Sequence, residues 1–182
     1  MKVAAVQFQH LANDRDANFE IIRRYSIAAS QNGVRLISFP ECCLTGYWHL
    51  RHLKRSQLDS LAEQIPYGTY SKKIIELAED LNLTIGVGLL ESTSSGKLFN
   101  SYLVVNADGT FACHRKIHCF INPEIDSGDD FTVFAGPEGI LIGVLICYDN
   151  NIIENVRLTA LQGARVLLAP HQTGGCNSGS PY

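Results

Sequence analysis

The sequence predicts an α/β fold in which two β-sheets pack face to face with helices on their outer faces. Three observations carry this expectation. First, Gly33-Val-Arg-Leu-Ile-Ser-Phe-Pro40 and Gly163-Ala-Arg-Val-Leu-Leu-Ala-Pro170 share Gly, Arg and Pro at the same offsets. Each follows a helix-patterned stretch, and each such stretch follows an apolar run. The chain therefore reads as two strand–helix–strand units, 2–40 and 140–170. Second, three strand-like runs joined by turn sequences lie between the units. Third, the 182 residues are 46% hydrophobic and 18% charged, which suits one globular domain over 1–182 with a sizeable core.

The elements follow in order. Lys2 to Phe8 reads as a buried strand. Asn13 or Asp14 is placed to cap a helix carrying Phe19, Ile22, Tyr25 and Ala29 on one face, and Gly33 ends it. "VRLISFP" is a second strand, stopped by Pro40. Helices are expected around Ser56 to Gln64 and from Tyr70 to Leu81. "LTIGVGLL", "LFNSYLVVN" and "TFACHRK" form an antiparallel meander through the turn sequences "STSSGK" and "ADG". "FTVFA" and "ILIGVLIC" pair through "GPEG". A helix over Ile152 to Leu161 and the strand "RVLLAP" complete the second unit. The closing "HQTGGCNSGSPY" is rich in glycine and serine. The expectation is a fragment with part of the second sheet missing and 171–182 as a flexible tail.

Charge and cysteine usage narrow the function classes. A net charge of −3, from 15 basic and 18 acidic residues, implies no basic face, so nucleic acid and anionic membrane are poor partners. "MKVAAVQFQH" does not read as a signal peptide, and no run reaches the roughly 18 apolar residues of a membrane span. The six cysteines include no C-x-x-C and sit mostly in or beside apolar runs. Free thiols in a reducing, cytoplasmic setting are expected.

Three polar residues stand at the ends of apolar strands, where α/β folds place their sites: Glu41 after "LISFP", Lys116 after "TFACHR" and Cys147 after "ILIGVLI". Convergence of a carboxylate, an ammonium and a thiol makes an acyl-transfer site. A free thiol has a pKa of about 8.5 and a free glutamate one of about 4.3, so proton transfer in water costs about 6 kcal/mol. A site must shrink that gap: burial raises the carboxylate and a nearby ammonium lowers the thiol. Lys116 and a backbone N–H beyond Cys147, such as that of Tyr148, are candidate oxyanion donors. The bland readings are a core cysteine at 147 and solvated strand-end charges at 41 and 116. His114, His118 and Cys119 raise a metal reading, but they lack the spacing of a metal-binding helix face. "GVG" at 86–88 lacks the rest of a dinucleotide fingerprint. Tyr47 and Trp48 suit either a substrate pocket or the core.

Together, "AAVQF", "FPE" with "TGY", "HRKIH", "GVLICYD" and "GARVLLAP" resemble the nitrilase superfamily of carbon–nitrogen hydrolases over essentially the whole chain. The resemblance implies a four-layer α-β-β-α sandwich, its second half incomplete in this chain. It implies Glu41 as base, Lys116 as the catalytic lysine and Cys147 as nucleophile. Glu124 of "NPE" falls at a second, substrate-positioning glutamate, and Tyr47 and Tyr148 are further candidates for positioning substrate. The implied reaction is cleavage of a non-peptide carbon–nitrogen bond, a small amide first, through a thioester. Nitrile or N-carbamoyl hydrolysis and acyl transfer are alternatives within the family, and a non-catalytic fragment or interaction domain is one outside it. The implied partners are a small amide or nitrile and water, with no metal or organic cofactor, and the implied assembly is a homodimer or larger homo-oligomer. "CYD" resembles amidase-type members. Asn151 stands where many members carry arginine, while Glu154 matches a frequent glutamate.

Overall fold

The computed structural model describes residues 1–172, so residues 173–182 of the expected tail lie outside the described part. The first unit runs β1 (Val3–Ala5), α1 (Arg15–Gln31) and β2 (Leu36–Ser38). A 3-10 turn over Trp48–His52, α2 (Arg55–Leu61) and α3 (Thr69–Leu81) follow. The meander is β3 (Thr84–Ser92), β4 (Leu98–Val105) and β5 (Phe111–Arg115). The remainder is β6 (Val133–Ala135), β7 (Leu141–Val144), a 3-10 turn over Cys147–Asn151, α4 (Ile153–Leu161) and β8 (Val166–Leu168). No helix among the described residues is long and apolar enough to cross a membrane.

The strands form two sheets, in the orders β1-β2-β3-β4-β5 and β6-β7-β8. The meander thus extends the sheet of the first unit: β1, β2 and β3 run parallel, and β4 and β5 return antiparallel. β6 pairs antiparallel with β7, as expected of the hairpin, and β7 runs parallel to β8. Leu36, Tyr102 and Val104 of the first sheet pack against Ile142, Val144, Ile146 and Leu168 of the second. On the other face of the first sheet, Ile85, Val87, Leu89 and Leu103 meet Ile22 and Ala29 of α1 and Ile74 and Ala78 of α3. Thr159 of α4 lies over Gly143 of β7. The layers are therefore α-β-β-α.

The duplication read from the sequence extends to single hydrogen bonds. Arg35 N donates to Lys2 O and Arg165 N to Leu141 O, both at 2.8 Å. Val6 N donates to Ser38 O at 2.9 Å and Leu145 N to Leu168 O at 3.0 Å. Gly33 and Gly163 both take positive φ, +71° and +101°, to leave their helices. Asp14 caps α1 by accepting from Ala17 N at 3.0 Å.

Two local expectations change. β1 is not buried on both faces: Ala4, Val6 and Phe8 pack into the core beneath α1, while Val3 is 53% exposed. β1 is the outermost strand of its sheet, and the sheet-to-sheet apolar cluster starts at Leu36 of β2, so the alternate side chains of β1 lie outside it. In α1 the buried stripe is Asn18, Ile22, Ser26 and Ala29, and Tyr25 faces out. Asn18 is buried because its side chain binds Leu11 O at 2.7 Å and Leu44 O at 3.0 Å, tying α1 to the loop after Glu41.

Candidate active site

Glu41, Lys116 and Cys147 converge. Pro40 ends β2, and the chain turns at once through Cys42, which has φ +46°. This turn lies directly on β3. A Cβ at Gly88 would sit 2.3 Å from Cys42 N and 2.7 Å from Pro40 O, so only glycine lets the loop approach. Glu41 is fully buried by this approach. Lys116 leaves the end of β5 with its N–H on Asn100 O at 2.8 Å, and its side chain is buried. Its Nζ lies 2.6 Å from Glu41 Oε1.

Asn100 of β4, which carries no signal in the sequence, also serves Glu41. Its Nδ2 donates to the same Oε1 at 2.8 Å, and its Oδ1 accepts from the Cys42 thiol at 3.2 Å. A donor at Oδ1 and an acceptor at Nδ2 fix which way the amide faces. Glu41 Oε2 accepts from Gln172 N at 3.2 Å. Gln172 stands at the start of the segment read as tail, and it is part of the site.

Cys147 does not end a strand in the regular sense. β7 stops at Val144, and Cys147 opens a 3-10 turn with φ +51°, a sparsely populated conformation for a residue with a side chain. Its N–H reaches Pro170 O at 2.9 Å. The Glu41 side chain and the N–H of Gln172 both act on the charge of its thiol. Burial pushes the Cys147 thiol up to about 11; the Glu41 carboxylate adds to that rise, and Lys116 and the Gln172 N–H oppose it. The expectation that the ammonium lowers the thiol is therefore reversed in net, because burial and the carboxylate outweigh it. For Lys116, burial pulls the ammonium down, but Glu41 outweighs burial and holds it above its ordinary value.

Asp149, unremarked in the sequence except as part of "CYD", is buried between the Cys147 turn and the chain after Lys116. It accepts from Ile117 N at 3.1 Å, His118 N at 2.8 Å and Ile146 N at 3.3 Å. Burial disfavours its anion, yet His114 and these amides hold its carboxyl below the usual range. His114 binds Thr132 through Nδ1 at 3.0 Å, with Nε2 3.9 Å from Asp149. The metal reading of His114, His118 and Cys119 finds no support in placement: among the described residues, no group of three or more His, Cys, Asp and Glu could hold an ion.

The positioning candidates separate. The Tyr47 ring is buried 5.6 Å from Lys116 Nζ and packs edge-on to Trp48 at 5.0 Å, so it serves both site and core. Tyr148 is part-exposed and meets Phe120 at 5.3 Å and His118 at 6.2 Å edge-on. Phe120, which sequence reasoning passed over, lies 5.7 Å from Lys116 Nζ. Glu124 is half-exposed and paired with Arg55 at 3.6 Å, not with Lys116 or Glu41. Cys42 and Cys43 are buried in the core, as structural cysteines should be.

Comparison with known proteins adds the family. The sequence model described as "Carbon-nitrogen hydrolase" matches residues 2–182. A nitrilase of Pyrococcus abyssi is 32% identical over 174 residues, which cover 93% of this chain and 64% of the relative. The human omega-amidase NIT2 is 27% identical over 181 residues, covering 93% of this chain and 62% of the relative. This chain thus spans less than two thirds of either relative. Among solved structures, an amidase from Nesterenkonia sp. superposes with a TM-score of 0.79 at 22% identity, covering 97% of this chain and 66% of that one. That likeness is one of fold.

Proposed function

The chain belongs to the carbon–nitrogen hydrolase family, and from that premise we propose that it hydrolyses a small amide through a thioester on Cys147. The single observation that carries the reading is the buried Lys116–Glu41 pair, at 2.6 Å, beside a thiol on whose charge both partners act. The omega-amidases among its relatives favour the amide.

The geometry assigns each atom a task. Glu41 Oε1 takes the Lys116 ammonium and the Asn100 amide, while Oε2 takes the Gln172 N–H alone of these and keeps a lone pair for the thiol proton. With the thiol at about 11, no standing thiolate exists at neutral pH. The proton therefore moves to Glu41 as sulfur attacks the carbonyl carbon, which is general-base catalysis. Lys116 and the backbone N–H of Tyr148 are the proposed donors to the oxyanion. Collapse expels ammonia or an amine, which takes the proton from Glu41. Water then enters, gives a proton back to Glu41, and releases the acid and the thiol. Glu124, Tyr47 and Tyr148 are proposed to position the substrate, with Tyr47 the innermost.

The test is ammonia release from small aliphatic amides, with mass detection of the acyl–Cys147 adduct. Cys147→Ala should abolish both. Equal turnover by the two proteins would remove Cys147 as nucleophile and the reading with it. The Pyrococcus abyssi relative makes nitriles the second substrate class to assay.

A further inference from the structure

Lys116 and Cys147 reach the site from different sheets. β5 belongs to the first and β7 to the second, and both chains have left their strands at the point where the side chains act. Beyond β5 the amides of Ile117 and His118 have no strand to bond. Beyond β7 the chain turns sharply at Cys147. One carboxylate meets both needs. Asp149 accepts from Ile117 N and His118 N on the lysine side and from Ile146 N on the cysteine side. Asp149 is itself held from behind, since Asn155 Nδ2 donates to its backbone oxygen at 3.1 Å and its N–H donates to Ile146 O at 3.1 Å. Asn150 closes the turn by donating to Leu145 O at 2.9 Å and Cys147 O at 3.1 Å.

We infer that Asp149 is a positioning residue: it fixes the Lys116 segment against the Cys147 turn across the seam between the sheets, and so sets the distance between ammonium and thiol. The inference rests on the hydrolase reading for its meaning. Its charge argues against a direct electrostatic part, because an anion beside the site disfavours a thiolate. What Asp149 supplies is three acceptor contacts at one point. Asn at this position keeps the size, but one of its two acceptor oxygens becomes an NH₂ that faces backbone N–H groups.

The test uses the reactivity of the thiol, which needs no substrate and so stands apart from whether amides are turned over. Alkylation of Cys147 by iodoacetamide is followed at pH 8 by mass analysis of its peptide. In Asp149→Asn the rate should fall about tenfold while thermal unfolding stays cooperative. The same loss should appear in Lys116→Ala, and the double variant should lose no more than the worse single variant, because both act through one ammonium. On an amide substrate, kcat should fall about 100-fold with KM held within about threefold. An unchanged or faster alkylation in Asp149→Asn, or losses that multiply in the double variant, would overturn the inference. Should Asp149→Asn unfold, Asp149→Glu displaces the same contacts with the charge kept, and the same two readings decide.

Discussion

The two strand–helix–strand units share a backbone and differ in what they bury. α1 sinks Ile22 and Ala29 under the sheet and lies beside α3. α4 turns Asn155 and Thr159 inward and leaves Ile153, Val156, Leu158 and Leu161 exposed. The ends of the strands differ more. Glu41 stands three residues after Ser38, where His171 stands after Leu168 in the other unit. Cys147 stands two residues after Leu145, where Phe8 stands after Val6. Each of these two candidate positions is thus used in only one unit. Phe8 packs edge-on against Phe39 at 6.3 Å, while its counterpart carries a thiol on a positive-φ turn. The repeated frame brings strand ends together, and the two candidate residues stand where the repeat is broken.

Four measurements break or sharpen that contrast. The largest effect should come from Lys116→Ala, which leaves Glu41 buried with its charge unpaired. Removing one partner of a buried pair costs about 3–5 kcal/mol, read as a lower midpoint in denaturant. A cost under about 1 kcal/mol, the range of surface pairs, would mean the first unit does not hold its carboxylate as a buried anion. Next is the thiol. Alkylation of Cys147 against pH should show a midpoint near 11, and Glu41→Gln should move it down, because the carboxylate raises it. A midpoint at about 8.5, that of a free thiol, would sever the link between the units.

Asn100→Ala removes a bond to a charged group, worth about 1.5–3 kcal/mol. In kcat that is roughly tenfold to 100-fold, with the Lys116 pair still in place. No change in kcat would mean that Lys116 alone orients Glu41. The smallest effects compare the repeat with itself. Gly33→Ala puts a side chain at φ +71° with open space around it, costing about 1–2 kcal/mol. Gly163→Ala should cost more, since φ is +101° and the new Cβ would meet Leu141 Cδ1 at 3.0 Å. Thermal melts of the pair should rank in that order, and the reverse order would place the tighter helix exit in the first unit.

Most of the fold was legible because its signals are local. Apolar runs, turn sequences, Asp14 as a cap and Gly33 and Gly163 as helix stops all act within a few residues. The Glu41, Lys116 and Cys147 set was legible from strand-end placement and from the resemblance of its flanking blocks. Other features were not. Asn100 reads as an ordinary strand residue until its amide is seen on Glu41, 59 positions away. Asp149 reads as a turn residue until its carboxylate is found on amides 31 and 32 positions back. Glu124 matched a motif, and its pairing with Arg55 became visible only in the structure.

The sequence by itself determined the elements, their order, the internal repeat and the three residue types at the strand ends, because propensity and periodicity are written into neighbours along the chain. Only the tertiary structure decided which Glu41 oxygen takes Lys116 and Asn100, that Cys147 sits on a strained turn with its thiol pushed up rather than down, and that one buried aspartate joins the two sheets. Those properties depend on burial and on hydrogen bonds between distant segments, and neither exists until the sheets have packed.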